Sequence, residues 1–179
     1  MNTFAMIAQI VGIFAMTFNI LSYQQKTQKG AIAFQLGGST LFAINYLMLG
    51  AVVGGILNAV GIVRALVFLN REKLKATHPA WLAGFITVYL LSYGLTFTVF
   101  GKEPTLFNLI IEFLPVIGMT ATTISFRLSD AKSIRRFGLI SSPSWLVYNI
   151  VSFSVGAIIC EVLSLGSIFI GMFRHDRKK

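Results

Sequence analysis

The chain alternates between long apolar stretches and short strings of charged residues. Seven apolar stretches of about 16–22 residues can be drawn, each long enough to rise ~24–33 Å as an α-helix. That rise is comparable with the ~30 Å hydrocarbon core of a bilayer. Because backbone groups cannot remain unpaired in lipid, the pattern predicts seven transmembrane helices. They are placed near 4–23, 31–49, 52–69, 80–100, 105–126, 137–152 and 155–173.

Composition supports an all-α integral membrane fold and argues against several other classes. Only 12% of the residues are charged, about half the share in soluble proteins. The net charge of +9 does not predict a nucleic-acid partner, because basic residues beside apolar spans are topology signals. One cysteine, Cys160, and two distant histidines, His78 and His175, offer no metal or disulfide framework. No catalytic constellation lies at membrane depth, so we predict no enzyme activity, no cofactor and no metal.

The distribution of lysine and arginine predicts the orientation. With seven helices, thirteen basic residues fall in connectors on one side and only Lys102 on the other, while Arg64 lies within a helix. The positive-inside tendency therefore predicts an extracytoplasmic N-terminus and a cytoplasmic C-terminus. The long Arg64 side chain is expected to extend to the cytoplasmic surface; gating and recognition of a charged substrate are the alternatives.

An internal repeat divides the chain. A shift of 103 residues aligns 9–71 with 112–174 without a gap and with ten identities. Both halves read as helix, basic loop, helix, short turn, helix and basic end, although convergent bilayer composition is an alternative explanation. Three helices invert the chain, so a fourth must lie between parallel repeats. The prediction is two three-helix repeats, 1–75 and 105–179, joined by an inverting linker helix in 76–104, about an axis along the membrane normal.

The repeat and the helix rise predict a polar site near the bilayer midplane. Phe42 and Asn58 fall at nearly the same depth, and the repeat places Trp145 and Glu161 at the matching depth in the other half. Transporters bind substrate at such repeat interfaces. The predicted substrate-binding residues are Asn58, Trp145, Asn149, Glu161, Phe42 and Asn45. Asn149 lies one helical turn after Trp145. Asn45 and its neighbour Tyr46 are weaker pocket candidates.

Glu161 is the most informative of these residues. An acidic side chain at the centre of a membrane helix costs about 2.5–3.5 kcal/mol, so it should face protein or a water-filled cavity. It could bind hydroxyls or amines, carry a proton, or only bond a neighbouring helix. Trp145 could likewise serve packing, and Asn58 and Asn149 could only tie helices together.

Several segments resemble bacterial inner-membrane proteins of the YgjV type. They are "LNAVGIVRAL" at 57–66, "EFLPVIG" at 112–118, "WLVYN" at 145–149 and Glu161. More distantly, the helix plan resembles SWEET and PQ-loop transporters, in which positions like those of Phe42, Asn58 and Trp145 line a central sugar pocket. That resemblance implies an alternating-access facilitator. The Pro-Gln pair is absent, Glu161 stands where asparagine is expected, and Phe42 replaces a tryptophan.

The sequence thus predicts a transporter of a small polar, sugar-like solute. One alternative is a vitamin, amine or amino-acid transporter with Glu161 as counter-charge or proton carrier. Another is a structural or accessory membrane protein that transports nothing. The expected partners are a small-molecule solute and the lipid bilayer, without nucleic acid, and a homo-oligomer is left open.

Overall fold

The computed structural model describes residues 3–48, 52–128, 130–151 and 155–176. These residues form seven α-helices and contain no β-strand, which confirms the all-α prediction. The helices are α1 (Thr3–Tyr23), α2 (Gln28–Met48), α3 (Val52–Leu69), α4 (Pro79–Thr98), α5 (Leu106–Arg127), α6 (Ala131–Val151) and α7 (Val155–His175).

Two helices begin earlier than their apolar stretches, because polar side chains cap them. The Thr27 hydroxyl accepts a hydrogen bond from the Gly30 backbone N–H at 3.1 Å, and α2 starts at Gln28 rather than 31. The Asp130 carboxylate accepts one from the Ser133 N–H at 2.7 Å, so α6 starts six residues before the predicted 137. Such caps satisfy N–H groups that the first helical turn leaves unpaired. The predicted helix ends at 49 and 152 lie outside the described residues.

Five helices of the described chain, α1, α2, α4, α5 and α7, are long and apolar enough to cross a membrane. The apolar part of α3, Gly55–Leu69, is shorter, and α6 carries many serines and basic residues. The outward faces are apolar: Phe14, Leu91 and Phe169 expose 58%, 62% and 60% of their surface. A surface of this kind is suited to lipid rather than water.

The helices pack as two triplets. Within the first triplet, α2 lies between α1 and α3, and within the second, α6 lies between α5 and α7. The triplets meet along an α1–α7 seam and an α3–α5 seam, and α2 touches α6. The 103-residue shift exchanges these two seams, as expected for two parallel units about a twofold axis. The domain boundaries themselves stay a prediction.

Helix α4 packs against α5 and α3. Aromatic rings join the three helices: Phe68 lies 6.3 Å from Phe85 and 5.8 Å from Phe126, measured between ring centroids, and Phe85 stacks on Tyr89. Phe68, Phe126 and Tyr89 are among the most deeply buried side chains of the described chain. The predicted linker helix is therefore anchored on the α3–α5 seam.

Polar side chains tie the α1–α7 seam at one end of the bundle. This basic end carries the connectors 24–27, 70–78 and 128–130 and the end of α7. The Gln24 amide donates to the carbonyl and to the hydroxyl of Ser167, both at 2.7 Å. Arg135 donates to the Gln25 carbonyl at 3.0 Å and forms an ion pair with Asp176. The two residues that follow α1 are thus bound by groups from the second triplet.

The α3–α5 seam is tied in a similar way at the same end. The Gln28 amide donates to the carbonyls of Phe126, at 3.0 Å, and of Leu128. Arg71 donates to the Gln28 side chain at 2.7 Å and to the Arg127 carbonyl at 3.3 Å. Cations and donors suit these positions, because the last carbonyls of a helix have no intrahelical partner.

The α1–α7 seam also depends on a small residue, which gives a stability prediction. A methyl group added at Gly171 would lie 2.5 Å from the Tyr23 carbonyl oxygen, whereas one added at Gly166 would meet nothing within 4 Å. We expect Gly171→Ala to lower the free energy of unfolding by about 1–3 kcal/mol through overpacking. Gly166→Ala, on the same helix, should be neutral or slightly stabilising. Thermal unfolding of both variants in detergent measures the difference, and equal stabilities would contradict the close approach.

Candidate functional site

A cavity of about 90 Å³ lies between the two triplets. All helices except α4 contribute to its wall. This volume accommodates several water molecules and is well below the ~300–1,000 Å³ of pockets for drug-sized ligands. The cavity is therefore suited to a small solute.

The wall of the cavity follows the internal repeat. Fourteen of its twenty lining residues form seven pairs separated by 103 positions, one member in each triplet. The pairs are Asn19 and Thr122, Gly38 and Ser141, Ser39 and Ser142, Phe42 and Trp145, Tyr46 and Asn149, Leu57 and Cys160, and Asn58 and Glu161. Equivalent positions of the two triplets thus face one another across the cavity.

Five of the six predicted site residues line this cavity. They are Phe42, Asn58, Trp145, Asn149 and Glu161. Asn149 is buried, and the other four are partly buried. The structure thus brings these five together, while their role in substrate binding stays a prediction.

Asn45 lies elsewhere. Its amide donates to the Ala8 carbonyl of α1 at 2.6 Å, and it packs where a methyl group on Gly12 would lie. The reason is the helical rotation of 100° per residue: Tyr46, four positions after Phe42, returns to the cavity face, whereas Asn45 is turned toward α1. Asn45 therefore joins two helices, and Tyr46 takes its place in the wall.

Glu161 is surrounded by polar groups of both triplets. Ser142, Tyr46 and Cys160 lie near enough to interact with its carboxylate. The described residues form two ion pairs, Lys102–Glu112 and Arg135–Asp176, and Glu161 belongs to neither. Among the described residues, the carboxylate thus has no cationic partner in direct contact.

The expectation for Arg64 is wrong, because its side chain is turned into the protein. It is only 5% exposed and lines the cavity. Its Nη1 lies 3.3 Å from the Met119 carbonyl and 3.4 Å from the Tyr89 hydroxyl, and its guanidinium carbon lies 5.0 Å from the centre of the Phe126 ring. Side chains tilt toward the N-terminus of their helix. The N-terminus of α3 is at the end away from the basic connectors, which directs Arg64 into the membrane interior.

The sequence argument did not single out several polar residues of the wall. They are Asn19, Gln35, Ser39, Thr122, Ser141 and Ser142. One signal could have found two of them: Ser39 and Ser142 are identical across the repeat and lie three positions before Phe42 and Trp145. Gln35 additionally donates to the Ser22 hydroxyl at 3.3 Å.

No group of three or more histidine, cysteine, aspartate or glutamate side chains in the described part of the chain could hold a metal ion. His78 instead caps α4, its Nδ1 accepting a hydrogen bond from the Ala80 N–H at 3.2 Å. The expected absence of metals and cofactors stays a prediction.

Apolar outer faces around a polar cavity define a helical integral membrane protein. The model of one family, the Imp-YgjV bacterial inner membrane proteins, matches residues 6–179. The chain belongs to this family, and its place is the bacterial inner membrane. No curated protein and no solved structure matches the chain. The resemblance to SWEET and PQ-loop transporters is not shown by these comparisons and stays a prediction.

Proposed function

We propose that the protein is a carrier that moves a small polar solute across the inner membrane by alternating access. The observation that carries this proposal is the cavity between the triplets, lined by equivalent positions of both. Transporters built from repeats bind their substrates at such an interface, and rocking of one repeat against the other exposes the site to each side in turn. A protein in which polar residues only hold helices together would gain nothing from a shared cavity.

The ties at the basic end support an alternating mechanism. Gln24, Gln28, Arg71 and Arg135 bind carbonyls or side chains across both seams. They join the two triplets at this end, so in the proposed mechanism access from this end requires both seams to separate. Because ten of the twelve basic residues that the structure describes lie at this end, we propose that it is cytoplasmic, with the N-terminus on the other side.

Two classes of cargo have support. Amides and hydroxyls in the wall, among them Asn19, Ser39 and Asn149, would suit the hydroxyl groups of a sugar-like solute. The presence of both Glu161 and Arg64 in the same wall favours a charged cargo such as an amine or amino acid. Glu161 then serves as counter-charge, as the second hypothesis from the sequence requires.

The test is solute exchange in liposomes that contain the purified protein. Labelled glycerol, glucose, L-alanine and ethylamine are offered separately, and we expect at least one to exchange faster than in protein-free liposomes. Trp145→Ala should reduce that exchange at least about tenfold. Truncating an aromatic residue that is a hot spot of a binding site costs about 2 kcal/mol or more in affinity. The ring of Trp145 faces the cavity and packs against Gly118 and Tyr148.

Trp81→Ala is the matched control. Trp81 lies at the start of α4, away from the cavity, where its indole N–H donates to the Leu74 carbonyl at 2.9 Å. Exchange per folded protein should therefore be unchanged. If no solute exchanges, or if both tryptophan variants behave alike, the carrier proposal is wrong and the accessory-protein alternative is favoured.

A further inference from the structure

Resting on the proposed function, we propose that the cargo is a small zwitterion of the amino-acid type. In this arrangement Arg64 binds the carboxylate of the solute, and Glu161 binds its ammonium group. Both side chains line the same cavity, one from each triplet. A solute held in this way bridges the two units that must move against each other.

Arg64 has unused donors in a buried position. A guanidinium carries five N–H donors. Among the described residues, the hydrogen bonds of Arg64 all use Nη1, at 3.3–3.5 Å, and Nε meets no acceptor. A planar carboxylate, which guanidinium groups bind through two parallel hydrogen bonds, would supply the acceptor that Nε lacks. A buried cation that lacks a carboxylate partner is costly, and an anionic group of the solute would offset that cost.

Glu161 offers the opposite charge in the other triplet. Its carboxylate lies beside Ser142 and has lone pairs for further donors, since an ionised carboxylate accepts about four hydrogen bonds. Neither ion pair of the described chain joins it to Arg64. The two charges therefore face one cavity without neutralising each other through direct contact.

The charge balance selects the class of solute. A monovalent anion would satisfy Arg64 and leave Glu161 without a cation, and a monovalent amine would do the reverse. A zwitterion satisfies both charges and adds no net charge to a site of low dielectric, where unpaired charge is most costly. The cavity of about 90 Å³ restricts the solute to a few non-hydrogen atoms, as in glycine, alanine or serine.

The experiment compares four probes of similar size on the full-length protein in liposomes and in detergent. The probes are L-alanine, ethylamine (which lacks the carboxylate), propionate (which lacks the amine) and neutral glycerol. We expect L-alanine to bind best, as measured by its shift of the unfolding temperature, and to exchange fastest. Each missing charged group should weaken binding about 10- to 100-fold, the usual effect of losing hydrogen bonds to a charged partner.

Two variants then assign each charge. Arg64→Met retains an unbranched side chain. It should weaken the binding of L-alanine and propionate and leave the binding of ethylamine unchanged. Glu161→Gln should weaken the binding of L-alanine and ethylamine and leave the binding of propionate unchanged. Arg64→Lys, which keeps the charge but not the planar donors, should recover part of the affinity. Arg136→Ala, which removes an exposed arginine, should bind all probes as the wild type does.

The outcomes separate this inference from the carrier proposal. If glycerol exchanges and L-alanine does not, the protein is a carrier but the zwitterion assignment is wrong. If Arg64→Met weakens the binding of all four probes equally, Arg64 has a structural role and the zwitterion assignment again fails. If no probe binds or exchanges, both proposals fail. Should a variant not fold, the ranking of the four probes on the wild-type protein still decides.

Discussion

Arg135→Ala is expected to lower the free energy of unfolding by about 3–5 kcal/mol, the usual effect of removing one partner from a buried ion pair. Arg135 is only 3% exposed, and its guanidinium forms an ion pair with Asp176. It also donates to the Gln25 carbonyl at 3.0 Å, beyond the end of α1. The substitution leaves the Asp176 carboxylate and this carbonyl without that partner where three helices meet, while the Gln24–Ser167 contacts of the α1–α7 seam remain.

The neighbouring residue provides the control for this prediction. Arg136 is exposed on the same helix, and Arg136→Ala should change the free energy of unfolding by no more than about 0.5 kcal/mol. Denaturant unfolding of the purified protein in detergent micelles measures both effects under one condition. Similar losses for the two variants would show that total basic charge, rather than the buried ion pair, stabilises this end.

Linking residues 24 and 167 is expected to abolish solute exchange. The side chains of Gln24 and Ser167 lie 2.7 Å apart across the α1–α7 seam, and opening of the basic end must separate them. The double variant Gln24→Cys/Ser167→Cys, treated with a short bis-methanethiosulfonate reagent, should exchange solute no faster than protein-free liposomes. Reduction should restore exchange, because the linkage acts on the motion rather than on the cavity.

The single variants Gln24→Cys and Ser167→Cys are the controls, each treated with the same reagent. Both retain Cys160, which is buried at 2% exposure, so they also report any modification of that thiol. They should exchange solute as the untreated protein does. Full exchange by the linked double variant would mean that the α1–α7 seam stays closed during transport, and the rocking of two triplets would have to be abandoned.

Hydropathy alone predicted the seven helices, and the structure confirms them. The length of an apolar stretch is a local property, and a bilayer leaves an apolar segment of that length no alternative to the helix. The boundaries were less accurate at α2 and α6, because the caps formed by Thr27 and Asp130 extend these helices into polar sequence. Five of the six predicted site residues reached one cavity because the repeat and the helix rise together specify depth.

Side-chain direction around each helix axis could not be read from depth. Asn45 lies at the predicted level but is turned toward α1, and Tyr46 occupies the cavity face instead. Arg64 could extend either way along α3, and only the packing of Phe126 and Met119 beside it shows that it is directed inward.

The linear pattern of the sequence therefore predicts three features by itself: the helices, their location in a membrane and the depth of each polar group. These follow from the length and hydrophobicity of single segments. The tertiary structure alone decides which polar groups share a cavity and which hold the seams together. Gln24 and Ser167 are 143 positions apart, and Arg135 and Gln25 are 110 apart. No local pattern encodes such contacts, because they exist only once both triplets have packed and set the rotation of every helix.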